Sequence, residues 1–144
     1  MPIQDAIGGT YPTRMGVGYA GMIADSSLHD IQSKVVETAA IAFGLAVGAG
    51  TADGSVKLGG TGFEGIAVDD KTRTADSYAV GEYAAVAKKG VVWVTVTTAG
   101  VSPAAPVTFT AATGVIGAGL VTTIAGAKFL DTVASGALCR VYLP

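Results

Sequence analysis

Val91-Val92-Trp93-Val94-Thr95-Val96-Thr97 is the stretch on which the fold reading turns. Successive side chains of a strand point to opposite faces. Val92, Val94 and Val96 therefore share one face, and Val91, Trp93, Thr95 and Thr97 share the other. Downstream, a loop with Pro103 and Pro106 leads to the alternating Val107-Thr108-Phe109-Thr110 and a Thr113-Gly114 turn. Leu120 to Ile124 and Ala127 to Leu130 read as two shorter strands. Ala137 to Leu143 is the last, with Ala137, Cys139, Val141 and Leu143 on one face and Leu138, Arg140 and Tyr142 on the other. Upstream, Lys88-Lys89-Gly90 reads as a turn closing a strand from Tyr78 to Ala87. Phe63 to Val68, stopped by Asp69-Asp70-Lys71, and Ser55 to Leu58, between Asp53-Gly54 and Gly59-Gly60, are further strands. Thr38 to Val47 is apolar enough for either element, but Gly44 and Gly48 favour a strand with a bulge or a close approach. Short strands closely spaced by glycine-rich turns predict an all-β sandwich or jelly-roll-like barrel over residues 35–144.

Residues 1–34 differ. They hold all three methionines, Pro2, Pro12, Tyr11, Tyr19 and five glycines, with no sustained apolar period. They are expected to form an extended N-terminal arm lying over the domain or over a neighbouring subunit. Within the arm, Ser26 to Lys34 is read as one or two helical turns capped by Asp25, Ser26 or Ser27.

The 144 residues suit one domain, yet only 14% are charged where about 25% is usual. The net charge of −2 excludes a polycationic nucleic-acid binder. Mean hydropathy is high, at +0.53, but the longest apolar run, Ala39 to Ala49, is shorter than a spanning helix needs. No secretory leader is visible at the start, and the single cysteine suits manufacture in a reducing cytoplasm or simply a protein that uses no disulfides. The charge deficit is local: between Lys89 and Lys128 there is no Asp, Glu, Lys or Arg. Sheets normally place charges on their wet faces and edges. Either threonine supplies a neutral outer face here, or a partner covers part of this surface.

Residues with catalytic potential fall short of any constellation. Gly16-Val17-Gly18-Tyr19-Ala20-Gly21 spells G-x-G-x-x-G, but no apolar strand precedes it and no long helix pattern follows, as dinucleotide binding requires. His29 is the only histidine and is read as an exposed or interface residue; Cys139 sits on an apolar strand face and reads as a small core residue. Asp69, Asp70 and Asp76, around Lys71 and Arg73, lack calcium-loop spacing and read as a solvated connection. Glu64 and Glu82 stand apart, and Trp93 and Tyr142 suit a core or an interface equally. The expectation is of no catalytic residue, metal or cofactor.

Phe63-Glu64-Gly65-Ile66-Ala67-Val68, Tyr78 to Val86, Gly90-Val91-Val92-Trp93-Val94, Val107 to Gly114, Gly126-Ala127-Lys128-Phe129 and Ala134 to Leu143 form one ordered series. This series resembles the capsid cement or head decoration proteins of tailed bacteriophages, well over the last 80 residues or so and more loosely over Ala39–Gly59. The resemblance implies a non-enzymatic virion protein on the outside of an HK97-type head, made in the bacterial host cytoplasm. It would bridge neighbouring major capsid protein subunits against DNA pressure and associate with itself as a dimer or trimer. Nucleic acid and membrane are not expected partners. Tyr11, Met15, Tyr19 and Met22 are the arm's candidate capsid contacts, being apolar anchors for pockets on a neighbour. Two other readings fit a small β domain: a carbohydrate- or receptor-binding module of a phage or bacterial surface, and a tail or neck subunit. The single Trp and the lack of any Asn argue against the first.

Overall fold

The computed structural model describes residues 18–25, 28–60, 62–98 and 101–144, together with the backbone of Ile3–Gln4 and Thr10–Tyr11. Thirteen strands follow in chain order: β1 (Ile3–Gln4), β2 (Thr10–Tyr11), β3 (Asp30–Val36), β4 (Ile41–Ala42), β5 (Ala46–Ala49), β6 (Ser55–Leu58), β7 (Phe63–Ala67), β8 (Ser77–Tyr78), β9 (Tyr83–Thr95), β10 (Pro106–Phe109), β11 (Ile116–Gly117), β12 (Thr122–Phe129) and β13 (Leu138–Leu143). Among the described residues there is no helix, so the all-β expectation holds. None is therefore long and apolar enough to cross a membrane.

Strand β9 organises the molecule. On one side the pairing runs β9–β3–β6–β5–β7 and returns from β7 to β9, closing a ring. On the other it runs β9–β13–β12–β10–β11, and β11 meets the chain just beyond β9 through the Val96–Ile116 bridge. The two rings share β9 and have separate cores. The smaller core gathers Val36, Val47, Val56, Ala67, Ala84 and Val86, with Ile41 and Tyr78 added by the β4–β8 pair. The larger gathers Val92, Val94, Val96, Phe109, Ile116, Phe129, Cys139, Val141 and Leu143. Ile66 of β7 enters the larger core while its neighbour Ala67 enters the smaller. A strand buried on both faces reads as a continuous apolar run, which is how Ile66-Ala67-Val68 appears.

Several local expectations change. The helical turns over Ser26–Lys34 are replaced by β3 from Asp30 onward; Ser26 and Ser27 lie outside the described residues. Pairing with β9 from Asp30 to Val35 outweighs the weak local propensity of this segment. The arm consequently gives way to sheet before residue 34. Lys88-Lys89-Gly90 is not a turn, because β9 passes straight through it. Lys89 pairs with Asp30 and Gly90 with Leu143, so ladder bonds hold a segment whose composition suggests a bend. Gly90 is required there: its φ is +118° and a Cβ would lie 2.7 Å from that of His29. Likewise the two short strands at Leu120–Ile124 and Ala127–Leu130 are one, β12. The register shift between Pro106 and Thr108, on its partner β10, lets the ladder absorb Gly126. The bulge expected near Gly48 is present, as a register shift between Val47 and Gly48.

Candidate functional site

The arm residues nearest the domain are docked on it. Gly21 N–H donates to Trp93 C=O (2.8 Å), Trp93 N–H to Met22 C=O (2.9 Å) and Ala24 N–H to Val91 C=O (2.9 Å). Asp69 N–H donates to Gly21 C=O (3.0 Å). Residues 21–24 thus run as an added strand along the second half of β9. Gly18 and Gly21 matter here for close approach, not for a nucleotide. A Cβ on Gly18 would sit 2.9 Å from Trp93 Nε1, and one on Gly21 would sit 2.8 Å from Asp69 N. Both have positive φ, +123° and +84°, which side chains beyond glycine rarely adopt.

Of the four arm anchors, Met22 is bonded through its backbone to Trp93, and its N–H donates to Tyr19 C=O at 3.1 Å. Tyr19 is 40% exposed, and the Lys71 ammonium stands 3.4 Å from its ring centroid. Desolvation, and then the neighbouring Asp69 carboxylate, push the Tyr19 phenol above its ordinary pKa. Met22 is half-buried, with its sulfur against Gly18. Tyr11 belongs to β2, paired with Ile3; its side chain, and the whole of Met15, lie outside the described residues.

Around Trp93 the outer face of the second ring forms an open groove of about 450 Å³, lined by Ala24, Trp93, Asp131, Val133, Leu138 and Arg140. Arg140 lies opposite Trp93 across β9 and β13. Its guanidinium grips Asp131 at two points, Nη2 to Oδ1 at 2.7 Å and Nε to Oδ2 at 3.1 Å. Asp131 Oδ2 also accepts the Arg140 backbone N–H at 3.0 Å. The Arg140 side chain, more than its own partial desolvation, decides the titration and holds the Asp131 carboxyl below the usual range. Tyr142, two pairs further along, is 41% exposed. Sequence reading weighed Trp93 and Tyr142 singly and missed the Arg140–Asp131 pair. The available signal was that these two, with Lys128, are the only charges after Lys89.

The residues examined for chemistry serve structure. Cys139 is fully buried, and desolvation raises its thiol pKa, the opposite of what a nucleophile needs. Asp70 accepts from Thr72 N–H at 3.0 Å and Thr72 Oγ1 at 2.6 Å, pinning its own loop. Glu64 pairs with Lys88 at 3.3 Å, and Glu82 pairs with Arg73. Among the described residues no cluster of three or more His, Cys, Asp or Glu is placed to hold a metal.

Residues 7–143 match the family model of the structural cement protein (E217 gp24/Pam3 gp6). The chain belongs to this family of phage structural cement proteins. No curated protein matches the sequence. A solved chain from the capsid of Myoviridae phage XM1 has the same fold, with a TM-score of 0.72 at 20% identity, covering 92% of this chain and 93% of that one. Membership of the cement family makes this a structural protein of the phage virion that stabilises the capsid and associates with capsid proteins.

Proposed function

We propose that the protein binds the outer surface of an HK97-type head and bridges neighbouring major capsid protein subunits, holding the shell against the pressure of packaged DNA. The observation that carries this reading, beyond family membership, is the segregation of charge between the two rings. From residue 90 to the end only Lys128, Asp131 and Arg140 are charged, and the last two neutralise each other. Thr95, Thr97, Pro103, Thr113 and Thr123 stand exposed on this ring, and Val121, just before β12, is 96% exposed. A neutral surface costs little to desolvate when another protein covers it. A ligand that binds only the closed lattice stabilises that lattice by mass action, and contacts to two subunits at once add effective concentration.

Residues 21–24 hold to the protein's own β9, and the contact with a neighbour is assigned to residues 1–17. Tyr11 and Met15 are the arm's proposed anchors, and Tyr19 and Met22, each partly exposed at its root, are proposed contacts beside them. The test is a chain lacking residues 1–17, mixed with expanded and unexpanded capsid shells and sedimented. The full chain is expected to coat expanded shells preferentially, and the truncated chain to bind at least about tenfold more weakly with its circular dichroism unchanged. Equal coating of both shell forms by the full chain would overturn the mature-lattice reading, and normal coating by the truncated chain would overturn the role of the arm.

A further inference from the structure

Between β5 and β6 the chain turns through Ala52-Asp53-Gly54-Ser55, where Ser55 N–H donates to Ala52 C=O at 3.2 Å. Both flanks of this turn are held. Glu37 accepts from Thr51 N–H, from Thr51 Oγ1 at 2.9 Å and from Ser55 Oγ at 2.8 Å, and Val35 N–H donates to Gly54 C=O at 3.1 Å. The peptide unit between Asp53 and Gly54 is not held. Among the described residues its C=O and N–H have no hydrogen-bond partner, and neither has the Asp53 carboxylate. Asp53 and Gly54 are exposed, Gly54 has a φ of +71°, and a Cβ there would meet nothing within 4 Å. That one unit can therefore rotate between its anchored neighbours without breaking a bond, and no side chain on residue 54 shields its nitrogen. Asp53 is also the only aspartate in the sequence that precedes a glycine. Asp131 is held by Arg140 and Asp70 by Thr72, and Asp30 precedes the β-branched Ile31 within β3.

We propose that Asp53 is a site of self-modification, converting to isoaspartate through a cyclic succinimide. The Gly54 nitrogen bonds to Asp53 Cγ, and the amide proton leaves with the carboxyl OH as water. Solvent water then opens the ring on one of two sides. Hydrolysis of the bond from nitrogen to Cγ restores aspartate. Hydrolysis of the bond from nitrogen to the Asp53 main-chain carbonyl carbon gives isoaspartate, whose main chain runs through Cβ and Cγ. Closure releases one water and opening consumes one, so mass and charge end unchanged, and no oxidant, reductant or enzyme is needed. The main chain nevertheless gains one atom at the turn. That atom falls where β6 enters the first ring, and the parallel contact of β3 with β6 consists of two pairs, Val35 with Ser55 and Val36 with Val56. The lengthened turn draws Gly54 C=O off Val35 N–H and loosens this joint. The inference stands apart from the capsid reading and is tested on the purified chain alone.

The experiment stores the full chain for weeks at about 37 °C and about pH 7.4 in water enriched in heavy oxygen, once folded and once unfolded in guanidinium chloride. Trypsin then releases residues 35–57, in which Asp53 is the only aspartate. Turnover through the succinimide writes a heavy oxygen into this peptide, and chromatography separates its isoaspartate form from its aspartate form. The folded chain is expected to form isoaspartate at residue 53 at a rate within about tenfold of the unfolded chain, because the turn leaves the reacting unit free. Asp53→Glu, which would have to close a larger ring, should lower heavy-oxygen uptake there about tenfold or more, with circular dichroism unchanged. In the isomerised chain, hydrogen exchange at Val35 N–H should quicken about tenfold while that at Val92 N–H stays as it was. A folded chain that takes up no heavy oxygen at residue 53 would overturn the proposal, whatever the unfolded chain does. Uptake undiminished in Asp53→Glu, or an isomerised chain whose Val35 amide exchanges like the fresh one, would overturn it as well.

Discussion

Asp131 carries more of the second ring's polar structure than its position in the chain suggests. Its carboxylate accepts three hydrogen bonds from Arg140, two from the side chain and one from the backbone. Its folded pKa lies below the unfolded value of about 3.9, so its contribution is complete above that pH and is lost as pH falls through the folded pKa. Asp131→Asn is therefore expected to cost about 1 kcal/mol near neutral pH, allowing for the partial exposure of both partners. The gap to the wild type should narrow as the solution is acidified below about pH 4 and through the folded pKa. Urea melts of both proteins across that range check it; a gap independent of pH would contradict the assignment. The two residues lie nine apart, joined only because β12 and β13 fold back on each other, so no local pattern announces the pair. Cys139, by contrast, was legible as a core residue, since strand alternation alone puts it on the face of Val141 and Leu143.

At the scale of the element, β9 was half legible. Its second half was read correctly, with Val92, Val94 and Val96 fully buried and Thr95 exposed. Val92→Ala is expected to lower stability by about 2–3 kcal/mol, while Thr95→Ala should change it by no more than about 0.5 kcal/mol. Chemical denaturation of the two variants measures the contrast, and similar losses would mean that the strand's faces are misassigned. The first half of β9 was separated from the second because Lys88-Lys89-Gly90 has the composition of a turn. What keeps this segment extended is the ladder to Asp30 and Leu143, residues about 60 and 50 positions away on either side in sequence. The helical reading of Ser26–Lys34 failed for the same reason, since β3 owes its form to β9 and not to its own residues.

For the whole molecule, the shared strand has a thermodynamic consequence. Neither ring can lose β9 without opening the other, so unfolding should be a single cooperative transition. Trp93 fluorescence reports on the second ring and far-ultraviolet circular dichroism on both; their urea transitions are expected to coincide, and separate midpoints would show that the rings fold independently. Closure also bears on the charge deficit. Charged edges protect open sheets from each other, and a sheet returning upon itself has few edges to protect. The second ring can therefore be neutral without pairing indiscriminately. The sequence by itself determined the class of fold, the inward faces of its clearest strands and the place where charge is missing, because strand alternation and composition are local properties. Only the tertiary structure decided that β9 is one strand shared by two rings, that the root of the arm belongs to the sheet, and that Arg140 meets Asp131. Each of those depends on backbone pairing between residues far apart in the chain, and the identity of the partner enters the choice as much as the residue itself.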